Sequence, residues 1–199
     1  MTRAVSRPTH PPSLRPLGHT LIVGGTGMLA GASVALAART EHVTSVARTR
    51  RSLAALDAVI ADSGCGCVHH TLSLDWHAPE RFLGEIERHV TATALPDLVV
   101  AWIHDDELAL RLPETLATPD RPPTFVHVVG SASGSARAVA AAARHRLERR
   151  QTAVRYRQVI LGANRSGGGV RWLTHHEISA GVLEAMERGQ ARFVVGTVS

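Results

Sequence analysis

Three glycines and three arginines carry the most legible chemistry in this chain. Leu21 to Val23 is an apolar run that enters a turn, Gly24-Gly25-Thr26-Gly27, and the turn opens directly into a helix-forming segment. A second apolar run, Val43 to Ala47, ends on Arg48, with Arg50 and Arg51 just beyond it. Strand, glycine turn, helix, strand is the order that binds a dinucleotide. Glycines let the main chain turn sharply and approach a pyrophosphate. The helix start aims free N–H groups and the positive end of its dipole at that anion. Gly24, Gly25, Thr26, Gly27, Met28 and Leu29 are therefore candidate cofactor-binding residues. An acid at the end of the second strand would accept from the ribose 2′-OH of NAD. Arg48, Arg50 and Arg51 instead suit the extra phosphate of NADP, so NADP(H) is the expected cofactor. The plainer readings are a structural turn without ligand and a solvated helix start.

The spacing Gly24, Gly27, Ala30 reads G-x-x-G-x-x-A. The stretch resembles the short-chain dehydrogenase/reductase superfamily, particularly its atypical NAD(P)-binding members with the pattern G-G-T-G-x-x-A/G. The resemblance spans residues 18–199 and is sharply motif-like in its first third. It implies that Asp75 lies near adenine. It places Ala101 and Trp102, followed by His104, at the fourth-strand end, where the family carries an Asn-Ala-Gly-like turn. It puts Ser131 at the fifth-strand end, in the place of the family's catalytic serine. Residues 156–162 and 171–174 look like those of small bacterial members of uncharacterised activity. The implied function is an NADP(H)-dependent oxidoreductase acting on a small carbonyl or quinone-like acceptor, with Ser131 and His104 as candidate catalytic residues. The alternative is a non-catalytic NADP(H)-binding redox sensor or scaffold.

One departure from the family pattern governs the chemistry. The family's usual pair is Tyr-x-x-x-Lys, but all 22 Lys+Arg residues here are arginine, and the single tyrosine, Tyr156, is followed four residues later by Ile160. Arginine does not replace that lysine, because its geometry differs and it does not deprotonate. The standard proton relay and lysine Schiff-base chemistry are both excluded. Hydride transfer is the cofactor's own chemistry, so a proton from histidine or water still permits reduction. A histidine titrates near neutrality and a serine can hold a carbonyl, which suits His104 and Ser131 to these tasks. Tyr156, in an apolar strand, is expected to pack with its hydroxyl hydrogen-bonded. No G-x-S-x-G elbow and no Walker lysine is present, so hydrolase and P-loop readings fail.

At 199 residues with 44% hydrophobic composition, the chain supports one α/β domain with a real core. Aromatics make up only 4%, so that core is built from Ala, Val, Leu and Ile. A net charge of +5 raises nucleic-acid binding, but the arginines are scattered. Their one cluster, Arg144, Arg146, Arg149 and Arg150, reads as a solvated helix face. A wholly arginine basic set also fits codon bias in a GC-rich genome. The expected partner is a small-molecule substrate, with no nucleic acid and no membrane; a homodimer is left open. Cys65 and Cys67, the only two cysteines, lie beside His69 and His70. Neighbouring strand residues point to opposite faces and cannot converge on one metal, so two thiols at a strand entry are expected. No disulfide framework follows, and the expected compartment is the cytoplasm. Residues 1–17 carry four prolines, three arginines and no apolar run, and read as a disordered tail rather than a signal or a membrane span.

Regular alternation of strand and helix over 18–199 predicts a single doubly wound Rossmann-like domain with a mostly parallel sheet of six or seven strands. Expected helices cover 28–39, 53–61 with Ser52 as N-cap, one from Pro79, one from the acids 105–107, 135–150, and one capped by Thr174 and Glu177. Expected strands cover 44–47, 68–74, 98–103, 125–129, 154–161 and an edge at 193–198. The acidic run 105–107 is explained by the helix dipole. His127 is expected to be half-buried, and His175 and His176 to sit in a helix's first turn. Little chain follows the sixth strand, so the substrate lobe must be small, with the 162–170 loop as its one candidate lid.

Overall fold

The computed structural model describes residues 17–130, 136–149, 154–165 and 169–198. Its centre is a seven-stranded sheet in which every neighbouring pair is parallel. In chain order the strands are β1 (Leu17–Val23), β2 (Thr40–Ala47), β3 (Val68–Ser73), β4 (Leu98–Ala101), β5 (Thr124–Gly130) and β6 (Arg155–Leu161). A short antiparallel hairpin follows, β7 (Ala163–Asn164) and β8 (Arg171–Trp172), and then the edge strand β9 (Arg192–Val195). The sheet order is β3-β2-β1-β4-β5-β6-β9. The helices are α1 (Ala30–Ala37), α2 (Arg50–Asp62), α3 (Pro79–Ala92), α4 (Asp106–Leu116), α5 (Ala136–Arg149) and α6 (His175–Arg188).

Both faces of the sheet are covered, which is why its central strands read as unbroken apolar runs. On one face Ile22, Val43, Val100, Val126 and Val159 meet Leu36 of α1, Leu56 and Ile60 of α2, and Ile178 and Val182 of α6. On the other, Leu21, Val46, Val99 and Phe125 meet Phe82, Ile86 and Val90 of α3, Leu108 and Leu112 of α4, and Ala143 of α5. The α6 capping box forms as expected: Thr174 Oγ1 accepts from Glu177 N–H and the Glu177 carboxylate accepts from Thr174 N–H. Gly189, at φ 64°, closes that helix in the left-handed conformation.

Several expectations need correction. The N-cap of α2 is Thr49, whose Oγ1 accepts from Ser52 N–H; the helix therefore starts at Arg50, three residues before the position that Ser52 implied. The 24–29 segment is a run of turns, so α1 begins at Ala30 rather than Met28. Strand β2 starts at Thr40, because Thr40 and Thr20 hydroxyls satisfy each other inside the sheet. Arg146 does not belong to a solvated face: its guanidinium donates to Glu114 and Glu107 and ties α5 to α4. His127 is fully buried rather than half-buried.

Buried imidazoles are the unusual feature of this core. His19 Nε2 and His89 Nε2 both reach Thr44 Oγ1 at 2.9 Å, and His19 Nδ1 donates to Ala94 C=O. His42 stacks on His70, which meets His89 edge-on. On the same side of the sheet, His127 Nδ1 lies 3.0 Å from Tyr156 Oη. Burial pushes His19 and His127 down to about 4. Both therefore stay neutral in the folded chain while their unfolded counterparts protonate near 6.5. Their contribution is fully present above pH 6.5 and is lost as pH falls toward 4, at up to about 1.4 kcal/mol per pH unit for each. Urea unfolding should show stability dropping between pH 7 and pH 5, above the range in which carboxylates titrate. A flat profile across that interval would show that these imidazoles are not buried as described.

Candidate functional site

Strand β1 is bordered by β2 on one side and β4 on the other, so the connections leaving β1 and β4 run in opposite directions. In open α/β sheets, ligands occupy the crevice beyond the strand C-termini at such a switch point. A cleft lies there. Its first hollow, about 340 Å³, is walled by Gly24, Thr26, Gly27 and Met28 on one side and by Arg48, Thr49, Ser52 and Trp76 on the other, with Trp102, His104 and His175 completing it. A second hollow, about 270 Å³, continues past Trp102 and His104 to Ile103, Asp106, residues 128–130 and Trp172.

The three glycines have three different reasons to be glycine. Gly24 sits at φ 80°, and a Cβ there would lie 2.8 Å from the Trp102 carbonyl oxygen. Its N–H donates to Val46 C=O, and Trp102 N–H donates to Val23 C=O, so the turn is stitched to both neighbouring strands. A Cβ on Gly25 would meet Ser33 Oγ at 2.7 Å and Ile22 at 2.9 Å; this glycine lets α1 close on β1. At Gly27 a Cβ would meet nothing within 4 Å. It faces the open hollow beside the start of α1, which has no side-chain cap and no acid in its first turn. Ala30 N–H already donates to Gly27 C=O, and the following first-turn N–H groups and the dipole are left to an anion.

The cleft gathers Gly24, Thr26, Gly27, Met28, Arg48, Trp102 and His104 from the sequence-based set. Gly25, Leu29 and Ala101 are buried behind it as supports. Arg50 and Arg51 occupy the exposed first turn of α2 and do not wall the cleft, because the helix starts at Arg50. Asp75 also stays outside the walls. Its exposed carboxylate accepts from His77 N–H and contacts His77 Nδ1, and the main-chain bond, followed by the imidazole, holds it below the usual carboxylate range. Its neighbour Trp76 takes the wall position instead, with the Arg48 guanidinium 5.8 Å from its ring centroid. Ser131 and residues 166–168 of the 162–170 loop lie outside the described residues. The described part of that loop contributes β7, and β8, just beyond the loop, carries Trp172 to the second hollow.

Sequence reasoning missed Trp76, Asp106, Trp172 and His175 as wall residues. A usable signal existed for the tryptophans. The chain has only three, and all three line this cleft. Asp106 was hidden inside the acidic run: Asp105 is the N-cap, accepting from Leu108 N–H, while Asp106 faces the second hollow. Burial, then the charge of Asp105, raises the Asp106 carboxyl, and His104 works against that rise. Behind it, His127 Nε2 is buried, has no hydrogen-bond partner among the described residues and lies 3.9 Å from Asp106 Oδ1. In front, Trp102 Nε1–H donates to His104 Nε2 at 3.1 Å. Nε2 is then the acceptor, and a neutral His104 carries its proton on Nδ1.

No protein-family model matches the sequence, and no curated protein is significantly similar to it. Its fold, in contrast, is that of solved short-chain dehydrogenases. A bulky-bulky ketone specific alcohol dehydrogenase from Comamonas testosteroni superposes with a TM-score of 0.73 at 12% identity, over 92% of this chain and 88% of that one. A short-chain dehydrogenase from Sphingobium yanoikuyae, solved with NADPH, gives 0.67 at 17% identity over 89% and 87%. Carveol dehydrogenase from Mycobacterium avium, solved with NAD, gives 0.65 at 12% identity over 90% and 96%.

The glycine geometry separates folding from binding. Gly24→Ala combines a positive φ with a backbone collision and should cost at least about 2 kcal/mol in urea unfolding. Gly27→Ala should stay within about 0.5 kcal/mol of the parent. Equal losses at both positions would mean that Gly27, too, is purely structural.

Proposed function

We propose that the protein is an NADP(H)-dependent oxidoreductase of the atypical short-chain dehydrogenase type, acting on a small carbonyl or quinone-like acceptor. The observation that carries this reading is the open cradle at Gly27, set against the uncapped start of α1 at the sheet's switch point. A Cβ would fill that space, and the donors around it suit a pyrophosphate. On this reading residues 24–28 hold the pyrophosphate. Arg48 pairs with the 2′-phosphate while Trp76 borders the adenosine, and Trp102 floors the passage to the second hollow. Arg50 and Arg51, on the rim of α2, add only long-range attraction.

When bound, NADPH would supply the hydride. The chain's own residues then have three tasks in the second hollow, namely to hold the acceptor, to exclude water and to deliver a proton. Trp102, Ile103, Val128 and Trp172 make its walls apolar. His104 is the proposed proton donor, through Nδ1–H. Ser131, next in sequence after Gly130 of the hollow's wall, is the proposed holder of the acceptor oxygen. Asp106 is a second carboxylic group at the same wall. Tyr156 has no place in this scheme. It lies near the start of β6, paired with Phe125, about 16 Å along the strand from the C-terminal end.

The rival reading, a non-catalytic NADP(H)-binding sensor or scaffold, is favoured by that same displacement of the only tyrosine and by the absent lysine. Purified protein given NADPH and a panel of carbonyl and quinone acceptors should lose nicotinamide absorbance if it is an oxidoreductase. Tight binding without turnover across the panel would favour the sensor.

Cofactor choice is measurable without any acceptor. One charge-assisted pair with the 2′-phosphate is worth roughly 1.5–3 kcal/mol, so calorimetry should show NADPH bound at least about tenfold tighter than NADH. Arg48→Ala should remove most of that preference, and Gly27→Val should abolish binding while circular dichroism stays native. Equal affinities for the two cofactors in the parent would overturn the Arg48 assignment.

For the chemistry, Tyr156→Phe should keep most of any reductase turnover, while His104→Ala and Ser131→Ala should each lower it more than about tenfold with NADPH affinity retained. A dead Tyr156→Phe beside two active variants would place the site elsewhere.

A further inference from the structure

The two cysteines lie at the end of the sheet opposite the cleft, immediately before β3. The turn that holds them is built by Gly64 at φ 65° and Gly66 at φ 72°, and a Cβ on either glycine would meet nothing within 4 Å. This turn brings Cys65 Sγ to 3.0 Å from Cys67 Sγ, with both residues half-buried. One flank of the pair packs on the core, with Cys65 Sγ 3.9 Å from the Ile60 carbonyl oxygen. The other opens on a hollow of about 430 Å³ formed with Arg39, Thr40 and Glu41 at the start of β2. A bound metal is not what this geometry serves: His69, the nearest imidazole in sequence, is engaged by Asp57 and Ser45, and no group of three ligands converges among the described residues.

We propose that Cys65 and Cys67 form a reversible dithiol–disulfide couple that exchanges with low-molecular-weight disulfides. The two sulfurs need only close to the bonded distance of about 2.05 Å, and a one-residue spacer makes the second thiol effectively intramolecular. Their electrostatics divide the work. The bond from Cys67, followed by the Cys67 main-chain N–H, holds the Cys65 thiol below its ordinary value. Burial, then the sulfur of Cys65, pushes Cys67 up to about 12. Cys65 is the attacking thiolate and Cys67 the resolving thiol.

The exchange balances in two steps. Cys65 thiolate attacks one sulfur of the small disulfide, forming a mixed disulfide and expelling one thiolate, which takes up a proton. Cys67 then loses its proton to solvent, attacks Cys65 Sγ, forms the internal disulfide and expels the second thiolate. Two protein thiols are oxidised and one external disulfide is reduced to two thiols. Glu41 lies on the rim, beside the Arg39 guanidinium that pairs with Glu187 at 3.2 Å, so an incoming zwitterion such as glutathione disulfide meets both signs of charge.

The test uses the full chain, glutathione disulfide and intact-mass spectrometry after alkylation; with only two cysteines present, the readout is unambiguous. The parent should lose two hydrogens, resist alkylation at both positions, and recover both thiols with dithiothreitol. Cys67→Ser should accumulate the glutathione adduct on Cys65, and Cys65→Ser should form its adduct at least about tenfold more slowly. A parent that carries glutathione without an internal disulfide, or that links only between two chains, overturns the proposal. So does equal reactivity of the two serine variants. None of these readouts depends on nicotinamide binding or turnover.

Discussion

The whole upper end of the sheet depends on one close approach, the Gly24 main chain passing under the Trp102 carbonyl. A Cβ at Gly24 would stand 2.8 Å from that oxygen, so only glycine lets β1 end where it does. The same turn is held from the other side by the bond from Gly24 N–H to Val46 C=O. Three strand ends are therefore locked in register at the point where the topology reverses. Everything in the cleft inherits its position from this lock. Arg48 follows β2 outward on one side, and Trp102 and His104 follow β4 outward on the other. The start of α1 is aimed between them.

The second organising feature is the placement of neutral imidazoles under α3 and α4. Polar side chains inside a parallel sheet are costly unless each finds a partner. His19, Thr44 and His89 satisfy one another, as do His127 and Tyr156. Among the described residues two ring nitrogens, His42 Nδ1 and His127 Nε2, are left buried without a partner. The one on His127 points toward Asp106, the only carboxylate among the described residues that wall the second hollow. The buried histidines are thus not interchangeable. Those beneath α3 serve the packing of the β1–β3 flank, whereas His127 backs the wall of the candidate site.

Much of this was legible in the sequence because the signals were local. The glycine turn, Pro79 at the first turn of α3, and the Thr174–Glu177 capping box each depend on a few adjacent residues, and each sits where the pattern put it. The continuous apolar run at 98–103 announced a central strand buried on both faces, and the strand itself ends at Ala101. Legibility failed where the outcome depends on a choice between near-equivalent neighbours. Thr49 and Ser52 are both good caps, and only the observed helix start shows which one is used; that choice removes Arg50 and Arg51 from the cleft wall. Asp105 and Asp106 are chemically alike, yet one caps the helix and the other faces the hollow. The convergence of Trp76, Trp102 and Trp172 is a tertiary fact, since these residues come from three connections far apart in sequence. The β7–β8 hairpin was invisible because two-residue strands leave no periodicity to detect.

The missing lysine is best understood through what the only tyrosine does. On the proposed reading, a proton donor to the acceptor would stand at the C-terminal end of the sheet, where the second hollow lies. Tyr156 stands near the other end of β6, and its hydroxyl is committed to His127 Nδ1. A lysine four residues further along would have fallen at the position of Ile160, which is almost fully buried and has no use for a charge. Tyr156 and Ile160 on this strand thus serve the core and not the cleft. On the proposed reading, proton supply passes to the β4 end, where the Trp102–His104 bond fixes which ring nitrogen carries the proton. That bond uses a side chain that also floors the passage between the two hollows. On the same reading, the Trp102 indole N–H ties the floor of the passage to the ring that would supply the proton.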